Sequence, residues 1–154
     1  MKNKVVGYCE CGMNQVEFSS LPITRFICHC LVCQAYTGQP YSDVSVFATA
    51  QIMDMDVRAT TFKRYKLPPN IQRGLCKHCL QPSIEFGVLG QFILIATKNI
   101  KAAQALPEPQ MHIFYHRRVG DIDDDLPKHT GFIKSQLQAA KIILQGLIAT
   151  RKSS

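Results

Sequence analysis

The seven cysteines constrain this chain more than any other feature, because they fall in three clusters instead of being spread along the sequence. The clusters are Cys9-x-Cys11, Cys28-x-Cys30-x-x-Cys33 and Cys76-x-x-Cys79. Their odd number argues against a disulfide framework, and so does the start MKNKVVGYCE, which lacks the pattern of a secretion signal. Inert buried thiols would have no reason to occur in pairs and triples. The spacing therefore favours metal ligation over both alternatives.

The spacing within each cluster explains how neighbouring cysteines can share one ion. Alternate residues of an extended strand point to the same face, so both members of the first pair can face a metal, as can Cys28 and Cys30. The third cluster has the two-residue spacing of a zinc knuckle. Soft thiolates in tetrahedral sets favour Zn²⁺, with an iron–sulfur cluster as the alternative.

The grouping predicts two Zn²⁺ per chain in sites of different kinds. The two pairs complete a closed four-thiolate set, which is typical of structural zinc; its members are Cys9, Cys11, Cys76 and Cys79. The triple Cys28, Cys30 and Cys33 supplies three ligands, and catalytic zinc keeps three protein ligands with one position open. Completion of the triple by a histidine stays an alternative, for which the spacing leaves His112, His116 and His129.

The remainder of the chain predicts a mainly β fold. Runs rich in Val, Ile, Phe, Tyr and Thr indicate short strands; they lie near residues 3–8, 14–18, 23–28, 44–49, 61–66, 92–97 and 111–115. The first and third cysteine clusters belong to one site, so the chain between them is not a separate domain.

The C-terminal segment from Phe132 to Arg151 predicts an amphipathic helix, because its apolar residues recur every three or four positions. We therefore divide the chain into a zinc-binding domain, 1–130, and a helical extension, 131–154. Packing of the helix on its own domain is the first interpretation. A homodimer or partner contact through the helix, and contact with a membrane surface, are the alternatives.

Charge and hydropathy limit the partners and the compartment. The formal charge is +7, and it falls to +4 if seven thiolates hold two Zn²⁺. The chain has no dense Lys/Arg cluster and no aromatic residues interleaved with basic ones, so the pattern does not favour a nucleic-acid partner. No apolar run approaches the ~20 residues of a membrane span. The expected location is the reducing cytoplasm, with no membrane partner.

The acidic run Asp121–Asp125 raises the question of a calcium loop. Such a loop requires glycine at its sixth position and glutamate at its twelfth. Leu126 and Phe132 occupy those positions, so we expect a solvated acidic turn.

The order of these motifs over residues 3–128 resembles the glutathione-dependent formaldehyde-activating enzyme family, which includes centromere protein V. The motifs are Gly7-x-Cys9-x-Cys11-Gly12, Cys28-His29-Cys30-x-x-Cys33-x4-Gly38, Cys76-x-x-Cys79, Pro109-x-x-His112-Ile113-Phe114 and Asp125-Leu126-Pro127. The resemblance implies small coiled sheets in a β-tent-like zinc fold, with the four-cysteine set structural and the triple at the functional zinc. The chain departs from the family at Leu80, where glycine usually follows the second knuckle. It also lacks the tryptophan that commonly follows the His-Ile-Phe stretch.

Zinc bearing three thiolates has a net charge of −1, which weakens its Lewis acidity and favours binding of a fourth thiolate. With the resemblance, this predicts a carbon–sulfur lyase that forms or cleaves a glutathione-type adduct such as S-hydroxymethylglutathione, with Cys28, Cys30 and Cys33 at its catalytic centre. Arg64, Lys66 and Arg73 are candidates to hold substrate carboxylates, and Tyr36 and Tyr41 to donate to an oxyanion. A noncatalytic zinc module for protein or nucleic-acid interaction is the alternative function.

Overall fold

The structure is a computed structural model that describes residues 4–65 and 71–153, with side chains to residue 152. In these ranges the α-helices are α1 (Leu31–Thr37) and α2 (Phe132–Ser153). Short 3₁₀ turns cover Thr49–Gln51, Val88–Gly90, Thr97–Asn99 and Tyr115–Arg117. The strands are β1 (Val5–Tyr8), β2 (Gln15–Phe18), β3 (Thr24–Cys28), β4 (Ser42–Ala48), β5 (Ile52–Asp56), β6 (Thr60–Arg64), β7 (Gln72–Cys76), β8 (Pro82–Phe86), β9 (Phe92–Ala96), β10 (Ile100–Lys101) and β11 (His112–Ile113).

The described strands form two sheets. One has the order β10-β1-β2-β5, and the other the order β11-β3-β4-β9-β8-β7-β6. All pairings are antiparallel except that of β11 with β3, in which Ile113 lies opposite Cys28. This parallel pair brings the segment around residue 112 beside the first cysteine of the triple.

One hydrophobic core lies between the two sheets. Phe18 of the smaller sheet stacks on Phe47 of the larger one, with ring centroids 3.7 Å apart. Ile93 and Ile95 of β9 belong to this core, whereas Leu94 belongs to a second one. The apolar run of β9 is therefore continuous because both faces of the strand are buried.

The second core lies between the larger sheet and α2. Val44, Val46 and Leu94 of the sheet pack in the same cluster as Ala139 and Ile143 of the helix. The mainly β fold and the C-terminal helix are therefore confirmed. Among the described residues, no helix has both the length and the hydropathy needed to cross a bilayer.

The structure differs from the predicted elements in its polar segments. The patterns did not predict β5, β7, β8, β10 or α1. In β7 and β8 the buried positions include Arg73 and Glu85, so these strands lack an apolar signal. The strand expected over 111–115 ends at Ile113, because Phe114 has a left-handed backbone with φ 54°.

Candidate metal centre

The four-cysteine cluster forms where two hairpin turns meet, one joining β1 to β2 and the other joining β7 to β8. The sulfurs all lie within 4.8 Å of one another. The Sγ of Cys11 is 3.6 Å from those of both Cys9 and Cys76. Cys9 and Cys76 are fully buried and come from different sheets. The buried side of the cluster therefore links one sheet to the other. The sequence-predicted grouping of Cys9, Cys11, Cys76 and Cys79 is what the structure brings together.

Backbone amides of both turns point at these sulfurs. The Asn14 N–H donates to Cys9 Sγ at 3.3 Å, and the N–H groups of His78 and Cys79 donate to Cys76 Sγ at 3.4 and 3.5 Å. Burial alone would raise the pKa of the Cys9 thiol, but the hydrogen bonds from Asn14 and the neighbouring thiols outweigh it and lower the pKa to about 7. The hydrogen bonds of the first turn thus favour the thiolate form of Cys9.

The three-cysteine cluster is built where β3 runs into α1. Cys28 is the last residue of β3, Cys30 is the N-cap of α1, and Cys33 lies in its first turn. The three sulfurs lie within 4.8 Å of one another. The N–H of Cys33 donates to Cys30 Sγ at 3.3 Å, so the sulfur that could ligate a metal also caps the helix.

The charge of this cluster shows which ion its donors fit. The side-chain hydrogen bonds with Cys28 and, to a lesser extent, with Cys33 lower the pKa of the Cys30 thiol. The hydrogen bond with Cys30 raises the pKa of the Cys28 thiol. Without a cation, the three sulfurs therefore favour one thiolate among them. A divalent ion of soft character is the group that allows all three to be deprotonated, and this donor set fits Zn²⁺.

A buried ion pair lies against the triple. Arg73 Nη2 is 3.9 Å from Cys33 Sγ, and Arg73 Nε is 3.0 Å from Glu85 Oε1. The two charged residues face each other in the β7–β8 register and are almost fully buried. Burial raises the pKa of Glu85 to about 7 even though the Arg73 charge opposes that rise. Arg73 therefore supplies positive charge to the sulfur cluster and is not an exposed anchor for a substrate carboxylate.

Two buried histidines support the loop that carries Cys28 and Cys30. His29 Nε2 is 2.8 Å from His112 Nδ1, and His112 Nε2 is 2.7 Å from Asp124 Oδ2. The backbone N–H of His29 also donates a hydrogen bond to the Ile113 carbonyl at 3.0 Å. Burial lowers the pKa of His29 to about 4. If the Asp124 carboxylate accepts a hydrogen bond from His112 Nε2–H, then His112 Nδ1 is the acceptor of the hydrogen bond from His29 Nε2–H.

Two of the histidines that the sequence left as candidates for a fourth ligand are engaged elsewhere. Within residues 4–65 and 71–153, no histidine or carboxylate joins the three sulfurs inside 4.8 Å. The His112 ring is paired with His29 and Asp124. His116 Nδ1 accepts from the Gly131 N–H at 2.8 Å. The described part of the chain thus offers this cluster three ligands.

The other predicted site residues have different surroundings. Tyr36 is buried and its hydroxyl donates to the Gly74 carbonyl at 2.6 Å, so that hydroxyl is already engaged. Tyr41 is 40% exposed, and its ring centroid lies 5.3 Å from that of His29. Arg64 is exposed at the end of β6. Lys66 lies outside the described residues.

A cavity of about 560 Å³ has residues in its wall that lie near both clusters in sequence, and its described lining contains no cysteine. Glu10 and Gln81, from the two turns of the four-cysteine cluster, contribute to its wall. So do Tyr41, which faces His29, and Thr37, whose hydroxyl donates to the Cys33 carbonyl at 2.8 Å. The cavity is large enough for a small peptide-like ligand.

Glu85 and Asp124 were not predicted as site residues. Asp124 was expected in a solvated turn, but it accepts hydrogen bonds from His112 and from Lys128 Nζ, the latter at 2.6 Å. A carboxylate between two apolar residues, as in Ile84-Glu85-Phe86, was the one signal in the sequence that pointed to a buried acid.

The comparison with family models agrees with this geometry. The model described as "Glutathione-dependent formaldehyde-activating enzyme" matches residues 4–117, a span that contains every cysteine of both clusters. A search of curated proteins returns no match. Because the match covers most of the chain, the protein belongs to the glutathione-dependent formaldehyde-activating enzyme family.

Proposed function

We propose that this protein is a carbon–sulfur lyase that forms or cleaves the adduct of a glutathione-type thiol with an aldehyde, of the S-hydroxymethylglutathione kind. The observation that carries the proposal is the cluster of Cys28, Cys30 and Cys33, for which the described chain provides no fourth protein ligand. Membership of the family supports the choice of thiol.

Cys28, Cys30 and Cys33 would hold one Zn²⁺, and the four-cysteine cluster would hold a second as a structural ion. When bound at the triple, the ion supplies a coordination position that takes up a thiol sulfur as its thiolate. The protein must then stabilise an excess of negative charge in a buried place.

Arg73 meets that need. Three thiolates and a divalent ion carry −1, and a substrate sulfur adds a further negative charge. The buried guanidinium next to Cys33 offsets part of this charge, and Glu85 holds the guanidinium in place. Cleavage of the adduct moves the C–S electron pair onto sulfur, while the hydroxyl releases its proton to solvent water and becomes the carbonyl of the aldehyde. Positive charge beside the departing sulfur favours that direction of electron flow.

We propose that the cavity takes the remainder of a zwitterionic peptide thiol. Its wall carries both signs of charge, with Glu10 and Lys98 among its lining residues. We further propose a reducing compartment such as the cytoplasm, because both clusters require free thiols and all seven cysteines are unpaired.

Exchange spectroscopy by NMR tests the proposed reaction. At equilibrium, glutathione, formaldehyde and their adduct interconvert spontaneously, and we expect the zinc-loaded protein to increase the exchange rate well above that background. Cys30→Ser should abolish the increase and weaken glutathione binding in calorimetry. The matched control is Tyr36→Phe, which removes a hydroxyl already engaged by Gly74.

Two results would contradict the proposal. One is an exchange rate that equals the background at full zinc occupancy. The other is glutathione binding that Cys30→Ser leaves unchanged, because the thiol would then bind away from the triple. Mass spectrometry of the native protein should find two Zn²⁺ per chain.

A further inference from the structure

The outward face of α2 carries an apolar stripe that is separate from the face packed on the sheet. Ser135, Ala139 and Ile143 are buried against the domain. Five large apolar side chains of the same helix are instead 44–73% exposed. One of them, Phe132, contacts the ring of Phe114 edge to face, and the other four share one face of the helix. These four are Ile133, Leu137, Leu144 and Ile148, which we call the outer stripe.

The outer stripe is straight and points away from the domain. At 3.6 residues per turn its members lie within an arc of about 60° and extend over about 22 Å. The centre of this arc lies about 150° from the centre of the buried positions Ser135, Ala139 and Ile143. The outer stripe therefore faces away from the side of the helix that packs on the sheet.

A line of positive charge borders the outer stripe. Lys134, Lys141 and Lys152 are all exposed and lie on one flank, about 60° from the stripe's centre. From Leu126 to the end, the sequence has no aspartate or glutamate. The surface is thus apolar and cationic, so its complement is apolar and anionic.

We infer that α2 is a docking surface for an anionic lipid membrane, on which the helix lies in the interfacial plane. Large aliphatic residues on one face with lysines along the border are the pattern of helices that bind the boundary between headgroups and acyl chains. A second copy of the chain fits less well. Antiparallel pairing of two such helices would place the lysine lines side by side, with no acidic residue on either helix to offset them.

Co-sedimentation with lipid vesicles tests this inference on the full zinc-loaded chain. We expect binding to phosphatidylcholine vesicles that contain phosphatidylserine, and much weaker binding to pure phosphatidylcholine. Replacing the three border lysines with glutamine should weaken binding to the anionic vesicles by about 100-fold. Leu137→Gln with Leu144→Gln should weaken it by at least about tenfold.

Matched controls distinguish binding through this surface from nonspecific binding of the protein to vesicles. Glutamine at Lys63, Lys98 and Lys101 removes the same charge elsewhere on the exposed surface, and Met53→Gln removes an exposed apolar side chain of β5. Both should bind like the parent. Equal weakening by the control lysines, no binding to anionic vesicles, or a dimer in sedimentation equilibrium that the Leu137/Leu144 variant dissociates would overturn the inference.

Discussion

Leu80 occupies a backbone conformation that favours glycine, directly after the last cysteine of the four-cysteine cluster. Its φ is 60°, and its side chain is 71% exposed. Its N–H donates to the Cys76 carbonyl at 3.0 Å, so the turn that closes the knuckle fixes this conformation. A left-handed backbone costs a residue with a side chain about 1–2 kcal/mol, whereas glycine adopts it freely. The family's usual glycine is thus the residue that this turn prefers.

We therefore expect Leu80→Gly to stabilise the zinc-loaded protein by about 0.5–1 kcal/mol, after the greater chain entropy of glycine in the unfolded state is subtracted. For a chain of this size, that corresponds to a melting temperature about 2 °C higher by calorimetry. Leu80→Ala is the control, because it removes the exposed side chain and keeps the strain. An equal gain in both variants would show that strain is not the cause.

The Arg73–Glu85 pair makes a second prediction, which separates stability from metal binding. Arg73→Met leaves Glu85 buried without its partner and should destabilise the fold by about 3–5 kcal/mol in denaturant titrations. Adding Glu85→Gln removes the orphaned carboxyl group and should restore part of that loss. Neither change returns positive charge to the sulfurs, so zinc affinity at the triple should stay about tenfold weaker in both variants.

Arg73→Lys retains the charge and serves as the control for zinc affinity. If the double variant recovered zinc affinity together with stability, Arg73 would have only a packing role. Chelator competition on the cobalt-substituted protein measures the affinity of the triple directly.

The pKa of Glu85 predicts how stability depends on pH. Burial raises this pKa from 4.5 to about 7 in the folded protein. Between these values the unfolded chain has already lost the proton that the folded chain retains, so this residue makes the fold less stable as pH rises. The melting temperature of Glu85→Gln, relative to the parent at equal zinc, should therefore increase from about pH 5 to about pH 7. A difference that stays constant over this range would contradict the assignment.

At the level of elements, the parallel pairing of β11 with β3 positions the triple. It places His112 beside His29, and Asp124 fixes the orientation of the His112 ring. His29 lies between Cys28 and Cys30 in the sequence and is held by His112. Displacement of His112 should therefore shift His29 and, with it, the positions of the Cys28 and Cys30 sulfurs. We regard His112 as a positioning residue.

His112→Ala should weaken zinc binding at the triple by about 10–100-fold and leave the four-cysteine cluster unchanged. His112→Asn should restore part of the affinity, since its amide can accept the hydrogen bond from His29. Cobalt absorption resolves the two sites during chelator titration. His116→Ala changes an exposed histidine of the adjacent turn and should have no effect. Equal weakening at both sites would indicate general destabilisation.

The sequence predicted the parts of this architecture that depend on residue type and spacing. Both cysteine groups and α2 follow from spacing and periodicity alone. Strands β7 and β8 do not, because their buried residues Arg73 and Glu85 are charged and stabilise each other across the two strands. Such a pair leaves no periodic pattern of apolar residues in either strand. The role of His112 depends on a parallel contact between residues 83 positions apart, which local patterns do not contain.

At the scale of the whole molecule, the four-cysteine cluster links the two sheets in addition to the core between them. Its cysteines come in pairs from a hairpin of the smaller sheet and a hairpin of the larger one. Structural zinc in small peptides contributes about 10–16 kcal/mol, which exceeds the total stability of many domains. Loss of this ion should therefore separate the sheets, whereas loss of the ion at the triple should leave both cores intact.

Cys11→Ser and Cys30→Ser test this division. Cys11→Ser should abolish cooperative thermal unfolding, or lower the melting temperature by far more than Cys30→Ser does, although Cys11 is the exposed member of its cluster and its side chain contributes little to packing. Cys30→Ser should keep the near-ultraviolet circular dichroism of the parent while it binds one Zn²⁺ fewer. If the two variants melted alike, both clusters would have the same structural role, and the case for a separate reactive centre at Cys28, Cys30 and Cys33 would fail with that result.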